Sequence, residues 1–199
     1  KKHPEYVREV PLKNDRYGRK NVIAFVKGEK EFSSKTVILH GHIDTVGVED
    51  FGNLKEWAFD PVALAEKLSE IELPPEVRRD LESGEYMFGR GACDMKSGVA
   101  AHLVAIREMS RRAGEMKGNI VFMANPVEEN QHTGIMESLP FLKELAEKEG
   151  LEYMPGMSTG MSTSGRWENC FPASTSPGRR PMSGNVSRGS TPILLRRNC

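Results

Sequence analysis

Residues 37–46 read VILHGHIDTV, and this stretch decides the fold. Its three leading apolar residues form a run of the kind that is buried in a sheet. Two histidines and an aspartate follow where such a strand would end. The sequence therefore predicts a buried strand over residues 35–43 with polar side chains at its carboxyl end. Those side chains are either satisfied by backbone groups or form the first part of a metal site.

The elements on both sides of this strand alternate in the way that is typical of an α/β protein. Further strands are predicted at 21–27 and 118–125, a short extended piece at 85–88, and helices at 61–72, 74–83, 95–114 and 133–149. Asp60 before Pro61 is a suitable N-cap for the first helix. In the third helix, one apolar face is predicted from the spacing of Val99, Leu103, Ile106 and Met109. This order predicts a sheet covered by helices.

The composition excludes several classes of partner. The chain of 199 residues has 28 basic and 28 acidic side chains, so its formal net charge is zero and gives no argument for a nucleic acid or an anionic membrane. Its apolar runs are shorter than the ~18 residues of a membrane-spanning helix. Three cysteines are too few and too scattered for a disulfide framework or a zinc knuckle. We therefore expect a cytoplasmic protein without nucleic-acid or membrane partners.

The zero net charge hides a division of the chain near residue 153. Residues 154–199 contain six arginines, one glutamate and no lysine or aspartate, a net charge of +5, and they are dense in Ser, Thr, Gly and Pro. Hydrophobic periodicity stops at the same point. We therefore predict a domain over residues 1–153 and a disordered, Ser/Arg/Pro-rich tail over residues 154–199.

Three polar clusters follow predicted strands, where ligand-binding residues collect in open α/β sheets. They are HGHID, GRGACDMKSG and NPVEENQH, which contain His42 with Asp44, then Asp94, then Glu128 with Glu129. Each cluster has a structural alternative: a buried histidine bonded to backbone, an N-cap aspartate, and a solvated acidic loop. Together they form a set of N and O ligands that favours zinc, manganese or cobalt. A spare carboxylate beside a metal suits a general base.

The motifs GHIDTV, GRGACDMKSG and NPVEEN, in this order, resemble those of a family of di-zinc exopeptidases and deacylases. This family includes aminoacylase, succinyl-diaminopimelate desuccinylase and peptidase T. The resemblance covers about residues 1–153, and the segments KEWAFDP and LESGEYMFGRG are similar to a bacterial arginine-utilisation subgroup. It implies a mixed sheet flanked by helices, of the zinc-exopeptidase, phosphorylase/hydrolase-like type, of which this chain carries an incomplete copy.

The resemblance also implies a role for each residue that matches a family motif. His42 matches a ligand of one metal, Asp94 the carboxylate that bridges both metals, and Glu129 a ligand of the second metal. Glu128 matches the general base. Asp44 matches the acid that orients the metal-binding histidine.

The implied reaction is hydrolysis of an amide bond in a small peptide or an N-acyl amino acid. Two divalent ions, zinc or else manganese or cobalt, would activate the water. The subgroup implies a place in arginine or amino-acid catabolism, and no oligomeric state is implied. His40 and His132 match no ligand position and are interpreted as structural or peripheral. The alternative is a non-catalytic relative that binds a ligand or partner, for which Glu128 would have little use.

The tail departs from the family pattern. The family requires two further ligands, an acidic residue on the next strand and a histidine, and neither precedes residue 154. With the reading frame shifted and allowed third bases, the codons of residues 167–199 can encode a segment that resembles the family's inserted domain. We therefore expect residues after about 154 to be an out-of-frame translation. We also expect the 199-residue chain to bind metal weakly and to be inactive, since catalytic zinc normally has three protein ligands.

Overall fold

The computed structural model describes residues 6–129, 132–158 and 194–196. Its strands are β1 (Val7–Pro11), β2 (Lys20–Val26), β3 (Lys35–His42), β4 (Tyr86–Phe88), β5 (Asn119–Asn125), β6 (Glu152–Tyr153), β7 (Met157–Ser158) and β8 (Leu194–Arg196). Its α-helices are α1 (Pro61–Ser69), α2 (Pro75–Ser83), α3 (Ser97–Arg111) and α4 (Thr133–Glu149). None of the helices in these ranges is long and apolar enough to cross a membrane.

The chain divides into two compact units. The first consists of Lys1–Val46 with Asp94–Gly160, and the second of Gly47–Cys93 with Met161–Cys199. The predicted tail over 154–199 lies outside the described residues except for the backbones of its first few residues and of β8. The boundary near residue 153 and the disorder of the tail therefore stay predictions.

The first unit is built on one mixed sheet with strand order β1-β2-β5-β3-β6, in which β7 also pairs with β3. β2 is antiparallel to both of its neighbours, β1 and β5, whereas β3 is parallel to β5, β6 and β7. The predicted strand of VILHGHIDTV is thus β3, which ends at His42 in register with Asn125. This sheet and its helices confirm the predicted fold class.

The two faces of the sheet are covered by different helices, because alternate side chains of each strand point to opposite sides. On β5, Phe122 and Ala124 pack with Val99 and Ile106 of α3. The intervening residues of β5 pack with Leu142 of α4. A strand that is buried on both faces has to be apolar throughout, which is why residues 120–124 read IVFMA.

Gly41 permits a close approach of α3 to β3. A β carbon at this position would lie 2.7 Å from Val99 Cγ2 and 3.1 Å from Met95 Cε. Those distances are shorter than carbon–carbon contacts allow. The glycine between the two histidines of the motif therefore sets the separation of the strand from the helix.

The amino ends of β3 and β5 are closed by buried polar side chains that satisfy one another. Asn119 is 4% exposed. Its Nδ2 donates to the carbonyl oxygen of Ser33 at 2.8 Å, and its Oδ1 accepts from the backbone N–H of Gly28 at 3.1 Å. Thr36, fully buried beside it, donates its hydroxyl to the carbonyl oxygen of Ser34. This end of the strand pair is a structural network.

Several elements differ from the sequence predictions. β1, β6 and β7 were not predicted, because each is short and lies at the sheet edge, where apolar alternation is weak. In α3 the buried side chains include Val99 and Ile106, but Leu103 is 49% exposed and Met109 is 37% exposed. The apolar face predicted for this helix was therefore too wide.

The second unit has a small apolar cluster of its own. Leu64 and Leu68 of α1 pack with Val77 of α2 and Phe88 of β4. The predicted N-cap is confirmed, since Asp60 Oδ1 accepts from the backbone N–H groups of Val62 and Ala63 at 3.0 Å. The backbone of β8 pairs antiparallel with β4.

Candidate metal centre

His42 is fixed at the carboxyl end of β3. It is 4% exposed, and the strand continues by one further bond, from Ile43 N–H to the carbonyl oxygen of Asn125 at 2.9 Å. Its Nδ1 lies 3.1 Å from the carbonyl oxygen of Asp44. Because a carbonyl oxygen only accepts, Nδ1 carries the proton and Nε2 presents a lone pair when the ring is neutral. The structural alternative, a histidine bonded to backbone, thus holds for Nδ1 and leaves Nε2 available.

The Asp44 carboxylate connects the end of β3 to the loop after β5. It accepts from the backbone N–H of Glu128 at 3.1 and 2.9 Å and from that of Glu129 at 3.1 Å. Its Oδ1 also lies 3.5 Å from His42 Nδ1. The sequence predicted only the contact with the histidine. The structure adds the two amides, so one partly buried carboxylate contacts both the imidazole and the turn that carries the glutamates.

His42, Glu128 and Glu129 each place one possible ligand atom, a ring nitrogen or a carboxylate oxygen, within 4.8 Å of the other two. Glu128 Oε2 is 4.0 Å from His42 Nε2. A nitrogen and two carboxylate oxygens are donors that suit zinc, manganese or cobalt. The solvated acidic loop that was the alternative for these glutamates does not describe them, because both side chains are partly buried.

Asp94 lies at the same site from the turn before α3. Its Oδ1 is 3.0 Å from His42 Nε2, and its side chain is 64% exposed. The N-cap alternative is not observed, since the residue preceding α3 is Lys96 and no side chain caps the helix. With a neutral imidazole, two lone pairs would face each other across this distance, so the pair requires a proton or a metal cation between them. The donor set therefore fits a divalent ion.

The electrostatics of the site reflect several carboxylates around one histidine. Burial, and then the carboxylate charge of Asp94, raise the pKa of Glu129 above its ordinary value, with smaller contributions from Glu128 and Asp44. His42 acts in the opposite direction. Carboxylates that repel one another in this way are commonly found where a cation binds.

The two histidines that were interpreted as structural or peripheral have different environments. His40 Nε2 accepts a hydrogen bond from Nδ2 of Asn125 at 2.6 Å, and burial lowers the pKa of His40 to about 4. His40 is thus neutral and bonded into the scaffold. His132 is not peripheral, because its Nδ1 lies 2.9 Å from Glu128 Oε1. The four-residue spacing of the pair predicts a contact only on a helix, and both residues precede α4, so the sequence carries no signal for this contact.

The model of peptidase family M20/M25/M40 matches residues 38–170 of the chain. The chain belongs to this family. Its members are hydrolases that depend on metal, generally two zinc ions, and they act on peptide or acyl amino acid substrates. The match confirms the family that was predicted from the three motifs and their order.

RocB of Bacillus subtilis (strain 168) is 48% identical over 161 residues, 81% of this chain and 28% of RocB. It is the protein on which the subgroup prediction was based. A succinyl-diaminopimelate desuccinylase of Wolbachia pipientis wMel is 33% identical over 109 residues, 54% of this chain and 23% of the relative.

Among solved structures, the M20 family metallo-carboxypeptidase Sso-CP2 from Sulfolobus solfataricus aligns with a TM-score of 0.44 and 19% identity. The alignment covers 76% of this chain and 28% of that one. The chain therefore spans less than a third of the length of these relatives.

Proposed function

We propose that the protein is a metal-dependent amide hydrolase that acts on a small peptide or an N-acyl amino acid. The observation that carries this proposal is the convergence of His42, Glu128 and Glu129 within 4.8 Å, with Asp94 in contact with the histidine. Three of these side chains lie at or just after the carboxyl ends of β3 and β5, and Asp94 lies in the turn before α3. The carboxyl ends of strands are where ligands bind in open α/β sheets. Membership of the M20/M25/M40 family supports the reaction class.

In this proposal His42, Asp94 and Glu129 would hold the metal. Two divalent ions, preferably zinc and otherwise manganese or cobalt, would supply Lewis-acid activation of the substrate carbonyl and of water. Glu128 accepts the proton of the attacking water and returns it to the leaving amine, so that the base is regenerated. Asp44 keeps His42 in the Nδ1-protonated form and orients the turn of the two glutamates.

The 199-residue chain by itself is proposed to bind metal weakly and to have little turnover. Its described residues offer His42, Asp94 and Glu129, which give each ion of a pair only two protein ligands when the bridge is counted twice. Catalytic zinc normally has three. We propose that residues after about 154 are an out-of-frame translation, which would account for the missing ligands. We also propose a cytoplasmic role in arginine or amino-acid catabolism, which the resemblance of KEWAFDP and LESGEYMFGRG to an arginine-utilisation subgroup implies.

The proposal is tested first on the chain as it stands. Zinc affinity is measured by competition with a chromophoric chelator, for the chain and for His42→Ala and Glu129→Ala. Each substitution should weaken binding by more than the ~10–100-fold that loss of an outer-shell partner typically costs. Glu76→Ala, which removes an exposed acid of α2, should leave the affinity unchanged. Equal affinities in all four proteins would refute the metal site.

The second test is the nucleotide sequence around codons 150–156. If a single shift restores the family pattern, the product in the restored frame should hydrolyse a dipeptide or an N-acyl amino acid, and Glu128→Gln should abolish that activity. A restored product that binds zinc without hydrolysing any member of such a panel would favour the non-catalytic alternative. Tight zinc binding and turnover by the 199-residue chain would refute its proposed inactivity.

A further inference from the structure

His132 and Glu128 are joined twice across the loop between β5 and α4. The imidazole Nδ1 of His132 lies 2.9 Å from Glu128 Oε1. The backbone N–H of His132 also donates to the carbonyl oxygen of Glu128 at 3.2 Å. None of the roles assigned above uses the imidazole of His132.

The backbone of His132 has a conformation that this contact helps to explain. Its φ of 55° and ψ of 25° lie in the left-handed region, directly before α4. Residues with a β carbon are uncommon there, and asparagine or glycine would fit better. The His132 side chain makes no capping hydrogen bond to the helix. Its ordered partner is instead the carboxylate of Glu128.

The two oxygens of Glu128 have different neighbours. Oε1 lies against His132, whereas Oε2 lies 4.0 Å from the Nε2 of His42. Glu128 is 25% exposed and His132 is 63% exposed, so the imidazole lies on the solvent side of the carboxylate. A donor bound to Oε1 fixes the plane of the carboxylate and keeps Oε2 directed towards His42.

We propose that His132 is a positioning residue for Glu128, to which it donates its Nδ1–H. This inference rests on the proposed role of Glu128 as the general base. Glu128 and Glu129 are adjacent and belong to the same group of possible metal ligands, so the site needs a reason for their different roles. The bond to His132 gives that reason, because it occupies Oε1 and leaves Glu128 with only Oε2 facing the site. In the proposed function, Glu129 binds the metal and Oε2 of Glu128 takes the proton of the water.

The test compares two substitutions at His132 in the metal-free, 199-residue chain. Asparagine keeps an N–H donor at about the place of Nδ1 and tolerates the left-handed backbone, whereas glycine relaxes the backbone and removes the donor. Nitrogen-15 NMR at pH 8 reports which imidazole nitrogen of His132 carries the proton. Carbon-13 NMR reports the side-chain carboxyl groups of Glu128 and Glu129.

In the unsubstituted chain we expect His132 to be protonated mainly at Nδ1, and Glu128→Ala but not Glu129→Ala to abolish this preference. His132→Gly should shift the carboxyl signal of Glu128 and leave that of Glu129 in place, while His132→Asn should restore the original signal. His132→Gly should unfold at an equal or higher temperature, which separates positioning from stability.

An imidazole of His132 with the proton distribution of an unstructured histidine would overturn the proposal. So would a Glu128 signal that is indifferent to His132→Gly. Neither measurement uses metal or substrate, so the result stands even if the hydrolase function fails its own test.

Discussion

The two ends of the β3–β5 pair both bury polar side chains, but they do so in opposite ways. At the amino end, Asn119 and Thr36 donate to and accept from neutral backbone groups, so that each donor faces an acceptor. At the carboxyl end, His42 lies close to Glu128 and Glu129 and is also in contact with Asp94. The first arrangement stabilises the fold as it stands. We propose that the second arrangement is completed by a cation.

The comparison shows how a buried polar cluster can be assigned to structure or to function. Both ends lie on the same two strands, so burial and position do not distinguish them. The balance of donors and acceptors does: amides and carbonyl groups pair at one end, and carboxylates outnumber donors at the other. Substitutions at the amino end should therefore change stability alone, and those at the carboxyl end should change metal affinity.

The largest effect is expected at the amino end. Asn119→Ala leaves the N–H of Gly28 and the carbonyl of Ser33 without their side-chain partner, which should reduce the free energy of unfolding by about 3 kcal/mol. Urea denaturation measures this change, with the exposed Asn53→Ala as the matched control. Zinc affinity should not change. A fall in affinity without loss of stability would reverse the assignment of the two ends.

At the carboxyl end, Asp44→Asn should lower zinc affinity by ~10–100-fold, as expected for an outer-shell partner. The amide keeps the size of the side chain, but its NH2 group replaces Oδ1, the oxygen that faces the N–H of Glu128 at 3.1 Å and His42 Nδ1 at 3.5 Å. A donor then meets donors at this position. Competition with a chelator measures the affinity. Asp60→Asn makes the same chemical change at an N-cap, where asparagine is equally suitable, and should have no effect. Equal affinities in both variants would exclude this role for Asp44.

His40 lies between the two ends and should make the fold sensitive to acid. Burial lowers the pKa of His40 to about 4, so the unfolded chain binds more protons than the folded one between pH 6.5 and 4. Stability should therefore fall as the pH is lowered through this window. His40→Gln keeps an acceptor for Asn125 and should remove much of the fall in urea midpoint. If the urea midpoints of both proteins depend on pH in the same way, protonation of His40 does not destabilise the fold.

The smallest effect is expected for Glu129→Gln in the metal-free chain. The pKa of Glu129 is raised, so its charged form is less favourable in the fold than in the unfolded chain. The charge of Glu129 therefore destabilises the fold at pH 7, where the carboxyl group is ionised, and does so less at pH 4. Glu129→Gln should therefore stabilise the chain at pH 7, in the presence of a chelator, and have less effect at pH 4. Glu147→Gln on the exposed face of α4 is the control.

Much of the fold follows from local patterns in the sequence. β3 and β5 could be predicted because a strand buried on both faces is apolar throughout, and α1 could be predicted because Asp60 and Pro61 form a clear start. The predicted burial of Leu103 was wrong. Periodicity gives the direction of the apolar face of a helix, but not how much of that face the sheet covers. The short edge strands carry too few residues for any period.

The residues of the candidate site could be predicted from the sequence, but several of the contacts between them could not. Three motifs at strand ends were enough to single out His42, Asp94 and the glutamate pair. The double role of Asp44 was not predicted, because its amide partners lie 84 and 85 residues further along the chain. Only the parallel register of β3 with β5 brings them together. The contact of His132 with Glu128 accompanies a left-handed backbone at His132, a conformation that histidine rarely adopts and that the sequence does not predict.

Gly41 controls how closely the segment around Asp94 approaches β3. The missing side chain lets Val99 and Met95 close on β3, and Asp94, which precedes Met95, reaches the Nε2 of His42 at 3.0 Å. The width of one methyl group at this position is thus transmitted to the gap between two metal-binding atoms. Any protein that reuses this strand and helix for a different ion could adjust the gap here, without altering a ligand.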